Sequence, residues 1–200
     1  MITILDYGAG NLRSVENALS EIGAEYELVR TPEALSHAAS IILPGVGHFG
    51  QMLRALEHMA VRPVLLERML AGVPFLGICL GLQALFEGSE EAPDLRGLGL
   101  FPGIIRRFAA DARVPHMGWN ELAGKPDSKL LRGLGSTPFV YFAHSYYAPL
   151  VPETEATCTY TSVAYTAILE SDNIFGVQFH PEKSGPLGLK IVKNFVDLAC

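Results

Sequence analysis

The chain is short of the features that cross-link a fold, hold a metal or grip nucleic acid. Its three cysteines, Cys79, Cys158 and Cys200, form no CxxC pair. An odd number without paired spacing argues against a disulfide framework and a zinc ribbon. No spacing of histidine, cysteine and carboxylate fits a ligand set, so neither metal nor cofactor is expected. Charged residues are only 18% of the chain, and no basic run exceeds the pair Arg106-Arg107. With a net charge of -6, binding driven by phosphate neutralisation is disfavoured. No apolar run reaches the roughly 20 residues of a membrane span. The longest, Ala71 to Leu82, is interrupted by Gly72, Pro74, Gly77 and Gly81. The opening residues carry no basic segment, and Asp6 comes early for a secretory leader. A cytoplasmic location is therefore expected.

What is abundant is apolar residues, 49% of 200, with a mean hydropathy of +0.26. Residues 1–200 are expected to form one domain, large enough to bury roughly 70% of its unfolded surface without staples. The apolar excess belongs in a buried sheet or a partner interface. β-rich runs at Ile2–Leu5, Glu25–Val29, Ile41–Leu43 and Val73–Ile78 alternate with helical patterns. These cover Leu12–Ile22, a start at Thr31-Pro32, Phe49–Met59, Pro63–Ala71 with a break at Pro63, and a run from Cys79 to Phe86. This alternation predicts an α/β fold with a mostly parallel sheet between helices. Beyond residue 96, runs near Leu100, Ile104–Phe108, Phe139–Phe142, Ala156–Tyr160, Ala164–Leu169 and Ile174–Gln178 predict antiparallel additions. A helix over Leu187–Leu198 closes the chain.

The chemistry concentrates at Gly77-Ile78-Cys79-Leu80-Gly81, between an apolar strand and a helix. This is a nucleophile elbow with cysteine for serine. Flanking glycines let neighbouring backbone pass close to a strained turn. Amide groups at the start of the helix favour thiolate over thiol, and the Leu80 N–H is placed to hold an oxyanion. The competing reading is a small buried cysteine with packing glycines. A cysteine nucleophile needs a base and the base an orienter. In Gln178-Phe179-His180-Pro181-Glu182, Pro181 biases His180 toward extended geometry. That would turn Glu182 to the same side, completing triad logic. The alternative is an edge histidine beside a solvated glutamate. Pro44-Gly45-Val46-Gly47 follows the third strand, where a loop can turn an N–H toward the elbow or serve only as a turn. His116 and His144 are expected to be packed, and Cys158 and Cys200 to be spectators.

Gly77–Gln83, Phe179–Gly185, Pro44–Gly47 and the opening Asp6–Asn11 together resemble class I (triad) glutamine amidotransferases, with a flavodoxin-like fold. Within that family the pattern, with His116–Asn120 and His144–Tyr147, is similar to the glutaminase subunits of imidazole glycerol phosphate synthases. The resemblance implies that Cys79 attacks the glutamine carboxamide, His180 carries the proton and Glu182 orients it. It assigns the oxyanion to Leu80 with the Gly45-Val46-Gly47 loop, and glutamine contacts to Gln83, Ser145 and Tyr146. It also implies a (β/α)₈-barrel cyclase partner in a heterodimer, met by Asn11, Met117, Trp119, Tyr141 and Lys183. The lone chain would be nearly inactive until that partner aligns the loop. Two rival readings are a stand-alone cysteine hydrolase or peptidase and a non-catalytic regulator; an intact Cys79, His180 and Glu182 argues against the second.

Overall fold

The computed structural model describes residues 1–200 apart from Gly10, Ala110, Asp111, Ser136 and Cys200. Gly10 of the expected first turn and the expected spectator Cys200 thus lie outside the described residues. The first half runs β1 (Ile2–Leu5), α1 (Leu12–Glu21), β2 (Tyr26–Val29), α2 (Pro32–Ser36), β3 (Ile41–Leu43), α3 (Phe49–His58), α4 (Arg62–Leu70) and β4 (Phe75–Ile78). Every residue of β1, β3 and β4 is buried, as strands covered on both faces must be. Helix α1 buries Val15, Ala18 and Leu19, one face at helical spacing. Thr31 caps α2 by accepting the Ala34 N–H, with Pro32 in the first turn. The break between α3 and α4 falls at Met59–Val61, where Ala60 takes φ +54°. It does not fall at Pro63, which sits in the first turn of α4, where a missing N–H costs nothing.

The second half runs α5 (Leu80–Gln83), β5 (Phe86–Ser89), β6 (Phe101–Arg107), β7 (His116–Glu121), β8 (Ala123–Gly124), β9 (Phe139–His144), β10 (Tyr146–Tyr147), β11 (Thr154–Tyr160), β12 (Val163–Ser171), β13 (Ile174–Val177) and α6 (Gly185–Ala199). The helix expected to reach Phe86 ends after one turn. The carbonyls of Ala84, Leu85 and Phe86 are taken by Leu98, Leu100 and Gly99 N–H groups of an incoming segment. That segment fits because Gly97 has no side chain: a Cβ there would stand 2.0 Å from the Phe86 oxygen.

The main sheet has the order β2-β1-β3-β4-β13-β12-β11-β8. The first five strands are parallel and the rest antiparallel. β13 was expected among the antiparallel additions; it instead pairs in parallel with β4, because the tight turn after β12 returns it to the centre of the sheet. β5, β6 and β10 form a small second sheet, and β7 and β9 a two-stranded ribbon. The core splits across the main sheet. Ile4, Ile42, Leu76 and Val177 pack with α1 and α6, while Leu5, Leu43, Phe75 and Leu169 pack with α3 and α4. Among the described residues no helix is long and apolar enough to cross a membrane.

Candidate active site

β4 and β13 are parallel neighbours, with Ile78 opposite Val177. Their carboxyl ends therefore deliver Cys79 and, three residues beyond Val177, His180 to one edge of the sheet. Open α/β sheets place their sites at such edges. Cys79 stands at φ 54°, ψ -103°, a region costly to a residue with a Cβ, by about 1–3 kcal/mol. Packing enforces it. The Cys79 N–H donates to the Val177 carbonyl at 2.7 Å. A Cβ at Gly77 would meet the Gly81 backbone at 2.5 Å, and one at Gly81 would meet the Leu43 oxygen at 2.0 Å. Leu80 opens α5, so its N–H has no acceptor within the helix. With one turn only, α5 supplies local N–H groups rather than a long summed dipole.

His180 Nδ1 lies 2.9 Å from Glu182 Oε1, and both side chains are almost wholly buried. Nδ1–H therefore donates to the carboxylate and Nε2 is left for a thiol proton. The geometry that makes this contact differs from the expectation. His180 is extended, but Pro181–Lys183 form a 3₁₀ turn that curls Glu182 back under the ring. The other carboxylate oxygen, Oε2, is buried without a partner. Burial alone would lower the imidazole pKa. The charge and hydrogen bond of Cys79, followed by those of Glu182, outweigh it and push the group up to about 10. The arrangement thus favours an imidazolium between Cys79 and Glu182.

A cavity of about 260 Å³ opens over the sulfur, lined by Val46, Gly47, Cys79, Leu80, Gln83, Glu91, Ser145, Tyr146, His180 and Lys183 among others. Gly45 lies just behind it and has no room for a side chain: a Cβ would stand 2.5 Å from Leu80 Cβ and 2.7 Å from the Gly81 nitrogen. Gly47 faces open space but takes φ +97°, where glycine is favoured. The two glycines thus have separate reasons, close approach at 45 and conformation at 47. Tyr7, in the opening turn, lies close to this loop; burial raises its phenol pKa, opposed by the Val46 backbone N–H.

Two residues of the site carried no role in the sequence reading. Glu91 follows β5, and one carboxylate oxygen holds the Phe49 N–H at 2.7 Å. In sequence, Glu90-Glu91 reads as solvated surface; only the fold turns Glu91 into the cavity. Gln178 is completely buried, with its amide nitrogen 3.6 Å from Cys79 Sγ. A polar residue in an apolar strand end was its available signal.

His116 and His144 are packed and sit against Tyr165: His116 Nδ1 is 3.2 Å and His144 Nε2 3.3 Å from its hydroxyl. Burial lowers their pKa values to about 4 and about 3. Cys158 is buried in β11, and burial raises its thiol to about 11, which leaves it inert as a nucleophile. Residues paired across the β7–β9 ribbon share a face. Trp119 stands opposite Tyr141 and Glu121 opposite Phe139. His116, Val140, Phe142 and His144 point inward, while Met117, Trp119 and Phe139 are exposed at 66%, 55% and 49%. Phe139 was not anticipated. Exposed Lys183 places its ammonium 6.0 Å from the Tyr141 ring. Asn11 caps the start of α1 without a side-chain hydrogen bond. Among the described residues no group of three histidine, cysteine or acidic side chains could hold a metal ion.

Cysteine on a strained elbow, a buried His-Glu pair and a glycine loop on a parallel sheet define a class of acyl-transfer enzyme. The family model for glutamine amidotransferase class-I matches residues 3–198, and the chain belongs to that family. It is 48% identical over 198 residues to a protein named imidazole glycerol phosphate synthase subunit HisH from Methanothermobacter thermautotrophicus, covering 99% of this chain and 98% of that relative. Its counterpart of the same name from Deinococcus radiodurans is 46% identical over 197 residues, covering 97% and 92%. Among solved structures, one described as a glutamine amidotransferase superposes with a TM-score of 0.76 at 20% identity, covering 99% of this chain and 98% of that one. A chain of the PurLQS structure from Thermotoga maritima gives the same TM-score and identity, covering 98% and 97%. At that identity the structures speak for the fold alone.

Proposed function

We propose that residues 1–200 are a single glutaminase domain, the glutaminase subunit of an imidazole glycerol phosphate synthase. It hydrolyses L-glutamine to L-glutamate and ammonia and hands the ammonia to a cyclase subunit. The observation that carries this is strained Cys79 in a small cavity beside His180, itself bonded to buried Glu182. The near full-length likeness to HisH proteins supports the particular synthase.

In this reading the Cys79 thiolate attacks the side-chain carboxamide carbon. Negative charge develops on the carbonyl oxygen and is held by the Leu80 N–H and one N–H of the Gly45-Val46-Gly47 loop. The His180 imidazolium gives its proton to the departing nitrogen, releasing ammonia and leaving a γ-glutamyl thioester. His180, now neutral, takes a proton from water, whose oxygen attacks the thioester and frees glutamate. Glutamine is held by Gln83, Ser145 and Tyr146, with the Glu91 carboxylate suited to its α-ammonium. Ammonia is mostly protonated at neutral pH, so a sealed route to the partner keeps it nucleophilic. The partner is a (β/α)₈-barrel cyclase, docked in a cytoplasmic heterodimer on Met117, Trp119 and Tyr141 with Asn11 and Lys183. The ribbon and Lys183 border the cavity mouth, since Ala143 and Lys183 both line it. The cyclase uses the ammonia to form imidazole glycerol phosphate and an aminoimidazole carboxamide ribonucleotide.

The test is to treat the chain with an electrophilic glutamine analogue, with and without the cyclase, and weigh the adduct. A covalent mass on Cys79 that is absent from Cys79→Ala, with glutamine hydrolysis that rises when the cyclase and its ligand are added, is expected. Rapid peptide cleavage with no glutaminase activity in the complex would favour the peptidase reading instead.

A further inference from the structure

The nucleophile has a polar neighbour outside the triad. Gln178 lies between the end of β13 and His180, wholly buried, and its Nε2 is 3.6 Å from Cys79 Sγ. A side-chain amide can present either nitrogen or oxygen to a partner, so its orientation has to be argued from the network. Gln83 Nε2 lies 2.8 Å from the Tyr146 carbonyl oxygen, which can only accept. The Gln83 amide is thereby fixed with its NH₂ group inward. Its second hydrogen meets Gln178 Oε1 at 3.1 Å. Gln178 must therefore turn its oxygen to Gln83 and its NH₂ to the sulfur. The opposite orientation would set NH₂ against NH₂ and a carbonyl lone pair against the sulfur.

The anchor is itself held. The Tyr146 carbonyl also lies 2.8 Å from His144 Nδ1. That makes Nδ1 the protonated nitrogen and leaves Nε2 to accept from the Tyr165 hydroxyl at 3.3 Å. The Tyr165 oxygen is then free to accept from His116 Nδ1 at 3.2 Å. A continuous chain of hydrogen bonds, buried except at the half-buried Tyr146, thus runs from the first residue of β7 to the sulfur of Cys79. Each member is locked by the next, and low polarity around them makes a reversed link costly.

We propose that Gln178 is a catalytic residue that donates a hydrogen bond to the Cys79 thiolate, stabilising the charged sulfur and holding it in the attacking rotamer. The inference rests on the reading of Cys79 as nucleophile. The chemical need for it is visible in the fold. The helix after Cys79 is a single turn, too short for a large summed dipole. One imidazolium faces the sulfur, and a preorganised amide donor adds to it without adding a competing charge. The bond also explains why an amide survives at a wholly buried position: both of its ends are used.

The experiment measures alkylation of Cys79 by iodoacetamide in the full chain from pH 5 to 10, read at the Cys79 peptide by mass spectrometry. It compares wild type with Gln178→Met, which keeps the volume, and Gln178→Glu, which keeps an acceptor for Gln83. Glutamine kcat and KM are measured in the cyclase complex. The expected result is an acidic limb moved up by about one pH unit, so alkylation at pH 5 slows about tenfold, the loss of one hydrogen bond to a charged group. The alkaline plateau stays at the wild-type rate. Glutamine kcat falls about tenfold and KM changes little. Superimposed limbs, or a lowered plateau with a raised KM, would overturn the role and leave Gln178 as packing. A Cys79→Ala chain that still hydrolysed glutamine would instead overturn the nucleophile reading, so the two failures are separable.

Discussion

At the scale of single residues, what distinguishes this site is how little room it leaves. The strained backbone of Cys79 is held between glycines whose missing side chains let three segments meet, and Gly45 presses on Leu80 from the loop after β3. Replacing Gly45 by alanine puts a methyl carbon 2.5 Å from Leu80 Cβ, 2.7 Å from the Gly81 nitrogen and 2.7 Å from the end of Met52. The methionine tip can yield, but the other two belong to the elbow itself. The loop must therefore retreat from Leu80, carrying its N–H away from the proposed oxyanion position. We expect glutamine kcat in the complex to fall about 10²-fold or more, the usual loss of an oxyanion donor. Stability should drop by about 1–3 kcal/mol from overpacking. Activity assays and thermal melts would read the two effects. A Gly45→Ala chain with kcat within a few-fold of wild type would show that this loop does not hold the oxyanion. Much of this scale was legible in advance. Elbow, histidine and glutamate announce themselves by local pattern. Glu91 and Gln178 do not, because their roles come from partners 42 and 99 positions away.

At the scale of elements, legibility follows whether a segment's partners are local. β1, β3 and β4 are apolar throughout and were readable to within a residue or two. α5 was misjudged because the segment around Gly97 takes its backbone carbonyls. β7 was not read as a strand at all, since Gly118 and Asn120 interrupt its pattern. Its alternation makes sense only beside β9, which turns His116 inward and Met117 and Trp119 outward. That ribbon carries a prediction of its own. Trp119 packs edge-on against Tyr141 at 6.2 Å yet remains more than half exposed. Truncating it costs the isolated chain little, so the melting temperature of Trp119→Ala should stay within a few degrees of wild type. In the proposed complex the same ring becomes a buried anchor, and such anchors are worth about 2 kcal/mol or more. Titration calorimetry with the cyclase should show binding weakened about 30-fold or more. Unchanged affinity would move the docking face elsewhere.

At the scale of the whole molecule, three buried histidines pull stability in opposite directions with pH. His116 and His144 are neutral in the fold, held near 4 and 3 chiefly by burial. The unfolded chain protonates both near 6.5. Between those values the unfolded state binds more protons, so the stability they allow is complete above pH 6.5 and drains away as pH falls toward 4 and 3. His180 has the opposite sign. Its raised value, about 10, contributes stability that is full below 6.5 and lost as pH climbs toward 10. The acid arm is the cleaner test, because the two histidines bond to Tyr165 and the Tyr146 carbonyl rather than to Cys79 or Glu182. His116 stacks on Tyr160 at 3.9 Å between ring centroids and on Phe142 at 4.9 Å, so phenylalanine should fit the same slot. His116→Phe gives up the hydrogen bond to Tyr165, about 1 kcal/mol, and should melt about 2–4 °C lower at pH 7. It also removes one group that unfolding would protonate. From pH 6.5 to 4 its melting temperature should therefore fall less steeply than that of wild type, and the two curves should converge. Parallel curves would mean that His116 takes up its proton as readily in the folded chain as in the unfolded one, and that burial does not hold its pKa down.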